Sequence, residues 1–414
     1  MAKHAVLSSG DKMWRSMACS KLELRLDFTL ACGQSFRWRE TADGHWTGVM
    51  GGRVWTLTQT DDTLWYHVYK KQDKQEMGGD GNKGAGVSLL QESKAEKRFK
   101  GAVKKEEDEP LNVTLVERVE EDMLRDYFQL DVKLVDLYKE WGEADCHFKH
   151  IANIFTGVRM LRQDPTECLF SIICTSNNNV SRIQGMVDRL CEALGAPLCQ
   201  LDQTSYYDFP TLSSLADDNV EACLRELRFG YRARFLQQSA KQILDTQKVQ
   251  WLDDLRTVPY LEACDALRTL PGVGTKVANC VCLMSLDKLE AVPIDTHMWQ
   301  IAKRDYKYGA NNRQKSITDQ LHRDIGDFFR KLWGPYAGWA QSVLFCADLQ
   351  KFKSLKERAH LKQPKKEEED DEGGIAECKK TKIKREYDGT VKTLKAKSAC
   401  HKKAKMSVKK EKVV

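Results

Sequence analysis

"LPGVGTKVANCVCLMSLDKLEAVPIDTHMW", residues 270–299, holds a turn with two glycines, a lysine just past it and an aspartate ahead of a further helical stretch. The preceding "YLEACDALRTL" reads as one helix, Pro271-Gly272-Val273-Gly274 as a tight turn, and "KVANCVCLMSL" as a second helix with Val277, Cys280 or Val281, and Met284 facing inward. The spacing therefore predicts a helix-hairpin-helix over 260–285. Gly272 and Gly274, either side of Val273, let the backbone bend and approach another molecule closely. The first turn of the second helix offers unpaired N–H groups and a positive dipole end, which suit a phosphate. Taken alone, such a turn serves either helix packing or phosphate binding.

Lys276 and Asp295 add chemistry to that turn. A lysine in the first turn of a helix sits where the dipole favours an anion, and the same misfit favours its neutral, nucleophilic form. An ordinary lysine is neutral in only roughly one molecule in two thousand at pH 7, so burial and local positive potential have to raise that fraction. Asp295 follows Pro293 and precedes "THMWQIAKR", which predicts an N-cap whose carboxylate is held ionised by backbone amides. A carboxylate near a sugar stabilises oxocarbenium-like charge, and an amine there attacks the anomeric carbon.

The surrounding chain organises into four parts. Residues 1–21 include Lys3, Lys12, Arg15 and Lys21 with Asp11 as the only acid, a pattern expected of a flexible leader and weakly similar to a mitochondrial presequence. An antiparallel sheet domain is expected over 22–130. "LELRLDF" at 22–28 alternates at period two, and "HWTGVMGGRVWTLTQTDDTLWYHVY" follows with Gly51-Gly52 and Asp61-Asp62 as hairpin turns. Within it, residues 71–110 hold 9 basic residues, 9 acidic residues and six glycines, the composition of a disordered insertion. From 131 to 350 the period is helical; "VSRIQGMVDRLCEALG" places Ile183, Val187, Leu190 and Leu194 on one stripe closed by Gly195. A disordered lysine-rich tail is expected over 351–414, with "KKTKIKRE" as a candidate nuclear import signal.

The net charge of +6 divides unevenly. From Lys351 onward 21 Lys and Arg face 11 Asp and Glu, or +10, which leaves −4 for the first 350 residues. Any nucleic-acid contact in the folded part then depends on placed arginines and backbone amides rather than on a generally basic surface. The 14 cysteines match neither a zinc site nor a small secreted disulfide scaffold, and a reduced intracellular compartment follows. No apolar run approaches membrane-spanning length, so a soluble protein without membrane contact is expected.

Six ordered motifs carry a resemblance: "GQSFRW", "SNNNVSRI", "FGYRAR", "LPGVGTKVANC", "VPIDTHMW" and "WGPYAGWAQSVLF". Between about Leu22 and Leu349, outside the insertion, the chain resembles vertebrate 8-oxoguanine DNA glycosylase/AP lyases of the helix-hairpin-helix-Gly-Pro-Asp superfamily. The resemblance implies an α+β fold in which an antiparallel sheet domain packs on two helical lobes, with the active site in the cleft between the lobes. It implies a base-excision repair enzyme that acts as a monomer, without cofactor or metal, on double-stranded DNA containing oxidised guanine opposite cytosine. An oxidised-pyrimidine glycosylase of the same superfamily normally carries four clustered cysteines after the catalytic aspartate, whereas here only Cys346, Cys378 and Cys400 follow Asp295. A non-catalytic DNA-binding module that keeps the hairpin as a phosphate clamp is the other alternative, and it has no need of Lys276 and Asp295 together.

Residue by residue, the resemblance makes Lys276 the Schiff-base nucleophile and Asp295 its electrostatic partner. Gly33 uses its carbonyl to detect the N7 hydrogen of the oxidised base, since ordinary guanine presents a lone pair there. Gln341 pairs with the Watson–Crick edge, Phe345 and Cys280 stack on the two faces, and Pro293 lines the pocket. Asn177, Arg182, Tyr231 and Arg232 fill the duplex hole and read the orphaned cytosine, while His297 contacts phosphate or substrate. Without the resemblance, Gln341 and Phe345 read as a surface amide and a core aromatic. Cys280 then reads as a small buried apolar residue, His297 as a helix-start surface histidine, and "NNN" as a plain loop before an N-cap.

Overall fold

The computed structural model describes residues 2–8, 13–70, 109–309 and 316–361. The two turn pairs close a five-stranded antiparallel sheet of β1 (Arg15–Ala18), β2 (Trp38–Ala42), β3 (His45–Met50), β4 (Arg53–Gln59) and β5 (Thr63–Tyr69), in the order β1-β5-β4-β3-β2. Between β1 and β2 lies a single helical turn, α1 (Leu26–Thr29). The inner face buries Trp46, Trp55, Leu57, Leu64 and Tyr66 against α2 (Glu109–Tyr127), which contributes Met123, Leu124 and Tyr127.

Three expectations change here. The leader does not precede the sheet domain but opens it. β1 pairs with β5 from Arg15↔Tyr66 to Ala18↔Thr63, with Trp14 and Met17 buried, because the exposed edge of β5 offers a ladder that apolar anchors can hold. Further up, His4 bonds Asp202 at 2.7 Å and Tyr206 at 2.8 Å. "LELRLDF" is not a strand but a turn followed by α1. Its alternation records burial in two cores, with Leu24 and Leu26 under the sheet and Phe28 among the helices. The described chain also stays helical past 350, through α16 (Lys353–Leu361). Of the insertion expected over 71–110, residues 71–108 lie outside the described residues while 109–110 open α2, and the tail beyond 361 also lies outside them.

The helical region runs α3 (Leu134–Ala144), α4 (Cys146–Ala152), α5 (Pro165–Ile173), α6 (Val180–Leu194), α7 (Leu212–Ala216), α8 (Val220–Glu226), α9 (Arg232–Thr246) and α10 (Trp251–Asp254). It continues with α11 (Tyr260–Leu267), α12 (Thr275–Ser285), α13 (Thr296–Arg304), α14 (Asp319–Trp333) and α15 (Ala337–Asp348). A small hairpin, β6 (Pro197–Leu201) with β7 (Thr204–Tyr207), interrupts it after the predicted stop at Gly195. Two groups of helices share one core: α5 lies on α9, α10 and α12, with α11 on α12, whereas α3 packs on α14 and α4 and α13 on α15. They meet where α12 contacts α14. Asp164, Asn179, Asp295 and Thr318 each cap the helix that follows by accepting a backbone N–H, as their residue types predict.

Sheet and helices are tied by Arg159, whose side chain is 0% exposed. Its guanidinium spends five hydrogen bonds on the Glu23 carbonyl (2.7 Å) and carboxylate (2.7 Å) and the carbonyls of Phe128 (3.3 Å), Gln129 and Val132 (2.6 Å). Those partners belong to the turn after β1, the end of α2 and the approach to α3. Arg159→Leu leaves Glu23 and these carbonyls without their donor, so a loss of about 3–5 kcal/mol is expected. Urea unfolding of the full chain checks it; a loss under 1 kcal/mol removes Arg159 from this role.

Candidate active site

α12 begins at Thr275, one residue after the hairpin, which puts Lys276 in its first turn and Cys280 one turn further along the same face. The Lys276 ammonium donates to the Thr175 hydroxyl at 3.0 Å, at the end of α5. Cys280 is buried, and burial raises its thiol above the usual range; the Lys276 charge and hydrogen bond oppose this, and the Asp295 carboxylate adds to it. Amine and carboxylate thus both act on this buried thiol, on the helix where the two helical groups meet. Asp295 is the N-cap of α13 and accepts the Met298 N–H at 2.9 Å, with buried Pro293 two residues before it.

The flanks of Gly33 are buried in different ways. Phe28, Cys32 and Phe36 enter the helical core, and the Gln34 side chain donates to the Arg159 carbonyl at 2.9 Å and accepts the Leu161 N–H at 2.9 Å. Gly33 itself has φ +80, a conformation that favours glycine, and a methyl group placed on it would lie 3.7 Å from Val180 at the start of α6. On α15, Gln341 is 5% exposed, while Phe345, one turn on, is half-buried and meets the His297 ring edge-on at 5.7 Å. This inverts the reading of a surface amide and a core aromatic.

"SNNN" and "FGYRAR" also meet. Tyr231 is 50% exposed and donates to the Ser176 carbonyl at 3.2 Å. Arg232 is 4% exposed, lies 4.6 Å from the Tyr231 ring centroid, and donates to the carbonyls of Ser176 and Asn177, the latter at 3.2 Å. Asn177 takes a left-handed φ of 48 and is exposed, as is Arg182. Arg232 therefore holds the loop that presents Asn177, a role that its sequence motif did not indicate.

In the hairpin, Gly272 has φ +77, and a methyl group there would lie 2.5 Å from the Phe235 ring. Val273 is buried. At Gly274 an added methyl group would meet nothing within 4 Å among the described residues, and none of their side chains caps the first N–H groups of α12. His297 lies 3.3 Å from Asp348. Asp348 also binds Arg304 at 3.0 Å. Neither Thr175, which holds the lysine, nor Asp348, which holds the histidine, was marked by any local pattern, because both act through contacts distant in sequence.

Residues 16–169 match the N-terminal domain of 8-oxoguanine DNA glycosylase, and residues 170–325 match the HhH-GPD superfamily of base excision DNA repair proteins. The N-glycosylase/DNA lyase OGG1 of Arabidopsis thaliana is 33% identical over 357 residues, covering 85% of each chain. The N-glycosylase/DNA lyase of Saccharomyces cerevisiae is 38% identical over 250 residues, or 55% of this chain and 66% of that one. Among solved structures, the apo 8-oxoguanine glycosylase/lyase of Clostridium acetobutylicum superposes with a TM-score of 0.61 at 23% identity, covering 81% of this chain and 96% of that one, which shows the shared fold. By its sequence matches along most of its length, this chain belongs to the 8-oxoguanine DNA glycosylase family of the HhH-GPD superfamily.

Proposed function

We propose that Lys276 is the nucleophile with which this base-excision enzyme, an N-glycosylase and DNA lyase, removes 8-oxoguanine from duplex DNA. The carrying observation is the grouping of the Lys276 amine, the buried Cys280 thiol and the Asp295 carboxylate at the junction of the helical groups. The amine attacks C1′ of the deoxyribose, the N-glycosidic bond breaks, and the base leaves with the bonding electrons and takes up a proton. Asp295 stabilises the positive charge on the sugar as that bond breaks. Ring opening gives an imine on Lys276; loss of a 2′ proton then expels the 3′ phosphate and nicks the strand. None of these steps calls on a cofactor.

Specificity rests on the groups around that centre. The Gly33 carbonyl accepts the N7 hydrogen of the oxidised base, the Gln341 amide pairs with its edge, and Phe345 and Cys280 flank its faces with Pro293 at the wall. The hairpin amides at Gly272, Val273 and Gly274 hold a backbone phosphate, and His297 lies close enough to Phe345 to meet the same strand. Asn177 and Tyr231 enter the space left by the extruded base, and Arg182 and Arg232 face the opposite cytosine, whose O2 and N3 suit guanidinium donors. Action as a monomer in the nucleus completes the reading, with the basic segment 379–386 as its support.

Borohydride trapping on a duplex with 8-oxoguanine opposite cytosine tests the chemistry. Lys276→Gln is expected to keep lesion binding and lose both excision and the trapped adduct; an adduct formed at the wild-type rate removes Lys276 from the mechanism. Asp295→Asn is expected to keep the fold, since Asn also caps helices, and to slow excision severely. Arg232→Ala is expected to weaken the preference for cytosine over adenine by about 1–3 kcal/mol. Equal losses opposite both bases would instead leave Arg232 with only its loop-holding contacts to Ser176 and Asn177.

A further inference from the structure

The segment that joins the lysine helix to the aspartate is a strap, residues 286–294, fastened along its length. The Lys288 N–H bonds the Cys282 carbonyl at 3.1 Å, Ala291 bonds back to Lys288 at 3.0 Å, and Gly338 on α15 donates to the Leu289 carbonyl at 3.0 Å. Arg330 on α14 donates to the Glu290 carbonyl at 3.3 Å. A methyl group at Gly338 would lie 2.3 Å from the Ala291 carbonyl oxygen, so α15 presses on the strap without a side chain between them. Pro293 has no N–H to offer. The last amide before Asp295 is that of Ile294, a residue that is itself buried, and it donates to Nε2 of His322 on α14 at 3.0 Å.

We propose that His322 is a positioning residue for base excision, whose neutral imidazole anchors Ile294 and thereby fixes where the N-cap carboxylate of Asp295 points. The proposal rests on the role assigned to Asp295 above. His322 is 4% exposed, and an Nε2 that accepts a hydrogen bond carries no proton. Protonation would set donor against donor and release the strap. Burial first, then the positive charges of Arg330, Arg268 and Arg323, push its pKa down to about 4, against the opposing charge of Asp319. The imidazole is thus neutral throughout the neutral pH range. An Ile294 amide left without an acceptor in that buried position would shift to find one, and Asp295 is the next residue. Displacement of a reacting group by about 1 Å costs on the order of a hundredfold in rate.

The test uses the full chain in single-turnover excision on an 8-oxoguanine:cytosine duplex, with binding to the undamaged duplex and urea unfolding measured alongside. H322L, which deletes the acceptor, is expected to slow excision at least about tenfold with duplex affinity unchanged. H322Q, whose amide oxygen reaches the position of Nε2, is expected to recover most of that rate. In a D295N background H322L is expected to add no further loss, because the two residues act as one unit. Wild-type excision by H322L, equal losses for H322L and H322Q, or an undiminished loss in the D295N background would each overturn the proposal. Wild-type excision by D295N alone would instead overturn the assignment of Asp295, and the proposal with it.

An equilibrium readout accompanies the rates. A histidine with a folded pKa near 4 and an unfolded one near 6.5 binds fewer protons when folded. Its contribution to stability is complete above pH 6.5 and is lost as pH falls toward 4. H322Q is expected to flatten that part of the stability profile, and an unchanged profile would contradict a neutral buried imidazole.

Discussion

Much of the molecule is arranged around one buried guanidinium. Arg159 is sealed from water, so every donor it carries needs an acceptor, and the acceptors it finds belong to segments far apart in the chain: Glu23, Phe128, Gln129 and Val132. Its own carbonyl receives the Gln34 side chain, whose neighbour is Gly33. A charge that cannot be left unpaired thus links the sheet, the start of the helical region and the loop proposed to inspect the base.

The proposed chemistry is by contrast built from neighbours in sequence. Lys276 and Asp295 lie on successive helices joined by one fastened strap, and the turns, caps and helix starts around them follow from residue type and spacing. That is why the hairpin, the Asp295 N-cap and the β3–β4–β5 turns were legible in the sequence. Contacts made across the fold were not. The inward orientation of Gln341, the bond from Lys276 to Thr175 and the two-core burial behind the false strand at 22–28 each depend on which elements come to lie side by side. Period-two alternation reports alternating burial, and a segment draped between two cores produces it without a ladder.

Arg232 combines two demands. Its Nη2 donates to the Ser176 and Asn177 carbonyls, while its Nε is buried with no partner among the described residues. A buried donor left unsatisfied is costly, and a polar ligand entering beside it would relieve that cost. Support for the loop and recognition of an orphaned base then come from a single side chain, and a substitution there acts on both.

The edge strand has a practical corollary for anyone preparing the protein. β1 covers the ladder of β5, so trimming the chain at Lys21, whether by processing or by design of a shorter version, strips a strand rather than a tail. The uncovered β5 would present unpaired amides and carbonyls to other copies, which is how sheet proteins come to self-associate. The first residues are part of the sheet and cover its edge.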